Sequence, residues 1–259
     1  MKIREFGKEH TKKIVLIPGC MMCRKQFDRL IPYLASRYRV IAVSTDGFDG
    51  TGKTTFTTAE KSAAKLATYI NERLDGNVQL VFGESFGSAT AVMLYMNKSV
   101  RTESVILSGP QYMDLGPLTK VLAYIIPRNQ YRMHGKMKNA KNGGRLPLLM
   151  KLFMRSGEGN LRDMFSKMPD NISFETLQNC TKEGLALYKQ IECFECDPDA
   201  KISVWYGAKE PNMKKAITNL RKVFPNLQTC PFKGLGHGEI IGHPKYMASE
   251  IVSFMEKNC

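Results

Sequence analysis

Short, nearly continuous apolar runs recur along the chain, each followed by a segment whose apolar residues repeat every three or four positions. The runs Lys13–Pro18, Arg39–Ser44, Val78–Phe82, Ser104–Ser108 and Ile202–Tyr206 are rich in β-branched residues and show no polar alternation. That is the pattern of strands buried on both faces of a parallel sheet. A sixth run, Leu227–Phe232, is weaker. Between the runs, Phe27, Leu30, Ile31 and Leu34 mark one helix, and Ala63, Leu66, Ala67, Ile70 and Leu74 a second. Ala89–Met96, Ala216–Val223 and Tyr246–Met255 mark three more. Alternation of this kind predicts an α/β fold, a mostly parallel sheet flanked by helices.

The alternation stops between about Gln111 and Asp199, where the pattern is helical only and broken by Gly143-Gly144, Gly157 and Gly159. The expectation is a core of residues 1–110 and 200–259, with residues 111–199 inserted as a helical cap or lid. It would lie over the carboxyl ends of the strands, where open α/β sheets bind ligands.

Candidate chemistry gathers at the ends of the predicted strands. Gly83-Glu84-Ser85-Phe86-Gly87 joins the strand Val78–Phe82 to the helix Ala89–Met96. A serine on so tight a strand–turn–helix junction needs small neighbours where strand and helix crowd together. The turn lifts its hydroxyl above the sheet edge at a helix N-terminus. The competing reading is a glycine-rich turn with a helix-capping serine. A nucleophilic Ser85 needs a base. His237, in the loop Gly234-Leu235-Gly236-His237-Gly238-Glu239 after the last strand, is the best placed of four histidines. His243 precedes Pro244 and suits a helix start, while His10 and His134 fall in the N-terminal segment and the cap. The base needs an acid to orient it. Glu210 follows the strand Ile202–Tyr206, and Asp114 is the rival. Backbone N–H groups of Phe86 and of Cys20 or Met21, in the turn after the first predicted strand, would form an oxyanion hole.

These segments, I-V-L-I-P-G at 14–19, R-Y-R-V-I-A-V-S-T-D-G at 37–47, G-E-S-F-G at 83–87, V-W-Y-G-A-K-E-P at 204–211 and G-L-G-H-G-E at 234–239, resemble the α/β-hydrolase superfamily along about two thirds of the chain. The chain is similar in particular to small bacterial hydrolases with a Lys-Glu-Pro acid loop and a Gly-His-Gly-Glu histidine loop. The resemblance implies hydrolysis of an ester, thioester or amide through an acyl-enzyme, with no cofactor. Three departures stand out: Pro18 replaces a histidine common before the oxyanion glycine, the acid is Glu rather than Asp, and the N-terminus offers at most one strand before Lys13. A non-catalytic small-molecule sensor on the same fold is the alternative, because fold does not dictate function.

Two other motifs compete. Gly47-Phe48-Asp49-Gly50-Thr51-Gly52-Lys53-Thr54 matches the phosphate-binding P-loop. A P-loop helix must begin at the Gly-Lys, whereas Thr57-Thr58-Ala59-Glu60 is a capping box that starts the helix at Thr57. Cys20-x-x-Cys23 and Cys193-x-x-Cys196 have zinc-ligand spacing, but nothing in the predicted fold brings the pairs together.

Composition bounds the rest. A chain of 259 residues with 43% hydrophobic residues can bury a substantial core. No apolar run reaches the ~18 residues of a membrane span, and the first 25 residues do not read as a signal peptide. Seven cysteines without a framework of close pairs suit reduced thiols and a cytoplasmic setting. Net charge is +14, and nine Lys/Arg against the single acid Asp114 fall between Asp114 and Arg155. That stretch has few aromatics for stacking on bases, so nucleic acid is not expected. Leu146–Met154 and Met113, Met133, Met137, Met164 and Met168 surround the charges. The expected partner is a small acyl substrate, anionic or amphiphilic, held by a flexible apolar and cationic lid.

Overall fold

The structure, a computed structural model, describes residues 1–110, 116–141 and 167–259. Among these, seven strands form one sheet in the order β1-β3-β2-β4-β5-β6-β7. They are β1 Lys2–Phe6, β2 Lys13–Ile17, β3 Arg39–Ser44, β4 Asn77–Glu84, β5 Arg101–Ser108, β6 Ile202–Gly207 and β7 Gln228–Phe232. All neighbours pair in parallel except β1, which runs antiparallel to β3.

The predicted runs become the inner strands because their side chains are buried on both faces. In β2, Val15 and Ile17 point into one apolar layer and Ile14 and Leu16 into the other, the period of two that a strand imposes. β7 reads weakly because it is an edge strand with most of its side chains exposed. Pro231, which has no N–H to donate to a ladder, is tolerated there.

The helices cover both faces. The helices α2 (Ala59–Arg73) and α3 (Gly87–Met96) pack on one face. On the other lie α1 (Ile31–Ala35) and the C-terminal helix, Pro244–Asn258. The helix expected around Phe27–Leu34 is split into a 3₁₀ turn, Arg24–Phe27, and the short α1. Pro32 lies in the first turn of α1, where its missing N–H costs nothing, and it cannot extend a helix backward.

α2 begins at Ala59, later than the capping box implied. Thr58 is the cap, its hydroxyl accepting from Lys61 N–H. Glu60 is therefore one position short of the reciprocal place in the box. Lys53 and Thr54 lie well outside the helix, and Gly47–Thr54 closes on itself through Gly47 N–H to Thr54 Oγ1 at 2.9 Å and Thr51 N–H to Asp49 Oδ1 at 2.9 Å.

Between β5 and β6 run α4 (Leu118–Lys141) and α5 (Phe174–Glu192), packed against each other. Tyr131 meets Phe174 edge to face, and buried His134 sets Nε2 2.8 Å from the Pro169 carbonyl. The pair is tied to the sheet's carboxyl edge. Glu183 accepts from Ala59 N–H at 2.9 Å, Thr176 accepts from Phe56 N–H at 3.2 Å, and Asn179 donates to the Phe56 carbonyl at 2.9 Å. After β6 the chain forms α6 (Met213–Arg221), and the C-terminal helix is α7. Asp114, Met113, Met164 and the Leu146–Met154 run lie outside the described residues.

Candidate active site

β4 ends at Glu84 and α3 starts at Gly87, so the chain must turn within two residues. Ser85 takes φ = 49°, the left-handed region that L-residues other than Asn and Asp seldom occupy. Its N–H donates to the Ser108 carbonyl at 2.6 Å, which holds the turn against β5. The flanking glycines are required by contact. A Cβ on Gly83 would stand 2.6 Å from Ser88 Cα, and one on Gly87 2.5 Å from the Pro18 carbonyl oxygen.

Ser85 Oγ lies 2.9 Å from His237 Nε2, and His237 Nδ1 lies 2.8 Å from Glu210 Oε2. A carboxylate only accepts, so Nδ1 carries the proton and Nε2 is left to accept from the serine. The second Glu210 oxygen accepts from Gly207 N–H at 2.8 Å, so the acid is held at the end of its own strand. The Glu210 side chain is 3% exposed and that of His237 39% exposed. The hydrogen bond to Glu210 raises the His237 pKa above its ordinary value, burial opposes it, and the charge of Glu84 adds to the rise.

The turn after β2 lies against the serine, since a Cβ on Gly19 would stand 3.4 Å from Ser85 Cβ. Met22 N–H closes this turn on the Gly19 carbonyl at 3.2 Å, and Met21 is left-handed at φ = 63°. Among the described residues, the N–H groups of Cys20, Met21 and Phe86 meet no acceptor. Unpaired donors beside a serine hydroxyl can receive a developing oxyanion.

The remaining sequence candidates fall elsewhere. His243 occupies the start of α7 but makes no side-chain cap, because Pro244 already suits the first helical position. His10 lies 3.5 Å from Glu9. Cys20 hydrogen-bonds with buried Cys180 of α5, and burial pushes the Cys180 thiol well up. Cys193 and Cys196 are exposed at the end of α5.

Two residues escaped the sequence reading. Gly109, at φ = 59° after β5, faces the histidine: a Cβ there would stand 2.8 Å from His237 Cε1. Glu84, inside the elbow motif, is 1% exposed, with Oε2 lacking any hydrogen-bond partner among the described residues. Its signal was a charge two residues beyond Phe82, on the face of β4 that should be apolar.

Beside the site, Met21, Met22, Phe48, Phe56, Met137, Met168, Leu177 and Cys180 form an apolar cluster with Cys20 and Phe86 at its margin. It joins α4 and α5 to the loops after β2 and β3.

Known proteins share this architecture. An α/β hydrolase family protein from Desulfitobacterium hafniense is 23% identical, with a TM-score of 0.76 over 98% of this chain and 100% of that one. A thermophilic esterase from Thermogutta terrifontis is 15% identical, with a TM-score of 0.71 over 99% of this chain and 93% of its own. An enol-lactonase from Burkholderia xenovorans is 16% identical, with a TM-score of 0.71 over 98% and 96% of the two chains. No curated protein matches the chain significantly in sequence. The family model of the alpha/beta hydrolase fold matches residues 12–244, from the start of β2 through the histidine loop to the first residue of α7. A match spanning every element that shapes the elbow and its surroundings makes this chain a member of the α/β-hydrolase fold family.

Proposed function

We propose that the protein is a serine hydrolase that cleaves an ester, thioester or amide bond through an acyl-enzyme, as a carboxylesterase, lipase or thioesterase does. The carrying observation is the unbroken relay Ser85 Oγ–His237 Nε2–Glu210 Oε2, at 2.9 and 2.8 Å, built on a left-handed serine. Ser85 Oγ attacks the acyl carbon while its proton passes to His237 Nε2. Glu210 steadies the imidazolium, and the N–H groups of Phe86 and of Cys20 or Met21 receive the oxyanion. Collapse breaks the bond to the leaving group, which takes the proton from His237. Water then gives a proton to His237, attacks the acyl-enzyme, and releases the acid and Ser85.

Residues 111–199 act as a cap in this reading, and the Met-rich cluster supplies an adaptable wall for the acyl chain. Lys120, Arg132 and Lys136, exposed on α4, favour an anionic or amphiphilic substrate. Among the described residues no helix is long and apolar enough to cross a membrane. Seven free cysteines, with Cys20 beside Cys180, support a reducing, cytoplasmic setting.

A fluorophosphonate probe tests the proposal. Covalent labelling of the wild type, lost in Ser85→Ala and in His237→Ala, is the expected result. A folded wild-type protein that stays unlabelled would sink it.

A further inference from the structure

Glu84 is a carboxyl closed off from the surface, 1% exposed. It ends β4 on the same face as Leu80 and Phe82, enclosed by the turn after β2, by β5 and by the histidine loop. From β2's turn comes the uncharged Gly19, whose Cβ would stand 3.9 Å from Glu84 Cγ. From β5 comes the Ser108 hydroxyl, which hydrogen-bonds to the carboxyl. From the histidine loop comes Gly238, whose φ of 69° and missing Cβ let Glu84 Oε1 approach to 3.2 Å of where that atom would be. Glu84 Oε2 is left without a partner among the described residues.

The charges acting on Glu84 are His237 and Glu210. Glu239, on the same loop, is turned away to accept from Gly236 N–H at 2.8 Å. A buried carboxyl with a vacant oxygen is costly unless some charge rewards it, and the cation within its reach is a protonated His237. Burial holds its pKa up to about 7.

We propose that Glu84 is a positioning residue acting through His237: a second carboxyl beneath the histidine loop that sets the imidazole's charge and stabilises the imidazolium formed when Ser85 gives up its proton. Glu210 and Glu84 divide the work. Glu210 grips Nδ1 by a hydrogen bond and fixes the tautomer. Glu84 contributes field alone, little screened because the carboxyl is 1% exposed. The inference rests on the serine-hydrolase reading for its consequence, but its physical content, coupling between two side chains, can be measured without turnover.

The test is an NMR titration of the His237 imidazole in the full chain, assigned by the signal missing in His237→Ala, alongside the pH dependence of fluorophosphonate labelling. Glu84→Gln keeps the shape and removes the charge. The expected result is a His237 pKa lower by about one unit and labelling slower by roughly tenfold at its plateau, with Glu84→Asp restoring part of both. A purely structural role would leave the titration unmoved. An unshifted titration in folded Glu84→Gln overturns the proposal, whether or not the serine labels. A shifted titration with an unlabelled wild type keeps the coupling and removes the acyl-transfer reading instead. Should Glu84→Gln not fold, Ser108→Ala takes its place: losing the hydroxyl donor keeps Glu84 neutral to higher pH and must lower the His237 pKa, and no change there is equally decisive.

Discussion

Single residues at this site are held in states that the unfolded chain would avoid. Ser85 at φ = 49° and Met21 at φ = 63° are left-handed without being glycine, each costing on the order of 1–2 kcal/mol. Glu84 is the larger liability. Its carboxyl holds a proton up to about pH 7 in the folded protein, against an ordinary value of 4.5. Between those two values the folded state therefore binds more protons than the unfolded one. The sign follows directly: this contribution to stability declines as pH rises from about 4.5 to about 7, then levels off. At 1.36 kcal/mol per unit the decline is about 3 kcal/mol. Urea denaturation at stepped pH is expected to show the wild type losing roughly this much relative to Glu84→Gln across the window. Parallel curves would show that Glu84 is not held neutral by burial.

Elements act on the site through their ends. β5 contributes the Ser108 carbonyl to the Ser85 N–H, the Ser108 hydroxyl to Glu84, and Gly109 against the imidazole. Gly109→Ala would put a methyl 2.8 Å from His237 Cε1 and 2.9 Å from Nδ1, on a backbone at φ = 59°. The ring must move off Ser85. Activity is expected to fall by about 10²-fold or more, the scale of a displacement near 1 Å, with a stability loss of only about 1–2 kcal/mol. Measuring kcat/KM beside the melting temperature separates the two, and full activity in the variant would show that the ring is free to yield. α5 acts likewise through Glu183, which satisfies the Ala59 N–H at the start of α2. A glutamate 124 positions away satisfies that amide, a partner that the local pattern around Thr57–Glu60 could not show.

At the scale of the molecule, parallel order brings the ends of β2, β4, β5, β6 and β7 to one edge, where Ser85, Glu210 and His237 converge from three separate loops. The net charge of +14 gives the molecule as a whole a field attractive to anions. If the substrate is anionic, kcat/KM should fall as salt rises from about 0.01 to 0.15 M, over which the screening length shrinks from about 30 to about 8 Å. A neutral ester of the same acyl group should be nearly insensitive. Equal salt responses would remove the charge-steering argument and with it the anionic substrate.

The elements were legible in the sequence because periodicity is local: five buried runs, the helices after them and the elbow Gly83–Gly87 each announce themselves within a dozen residues. Ser85, His237 and Glu210 can also be singled out in the sequence, since each follows an apolar run and a tight turn. Their meeting at 2.9 and 2.8 Å is a property of the folded chain. So are the antiparallel edge β1, the split helix before β3, the packing of α5 against the turn after β2, and the burial of Glu84 at the end of β4. Each of these depends on surfaces brought together from distant parts of the chain. A charged side chain in an apolar pattern says only that something must satisfy it, and the tertiary structure decides what does.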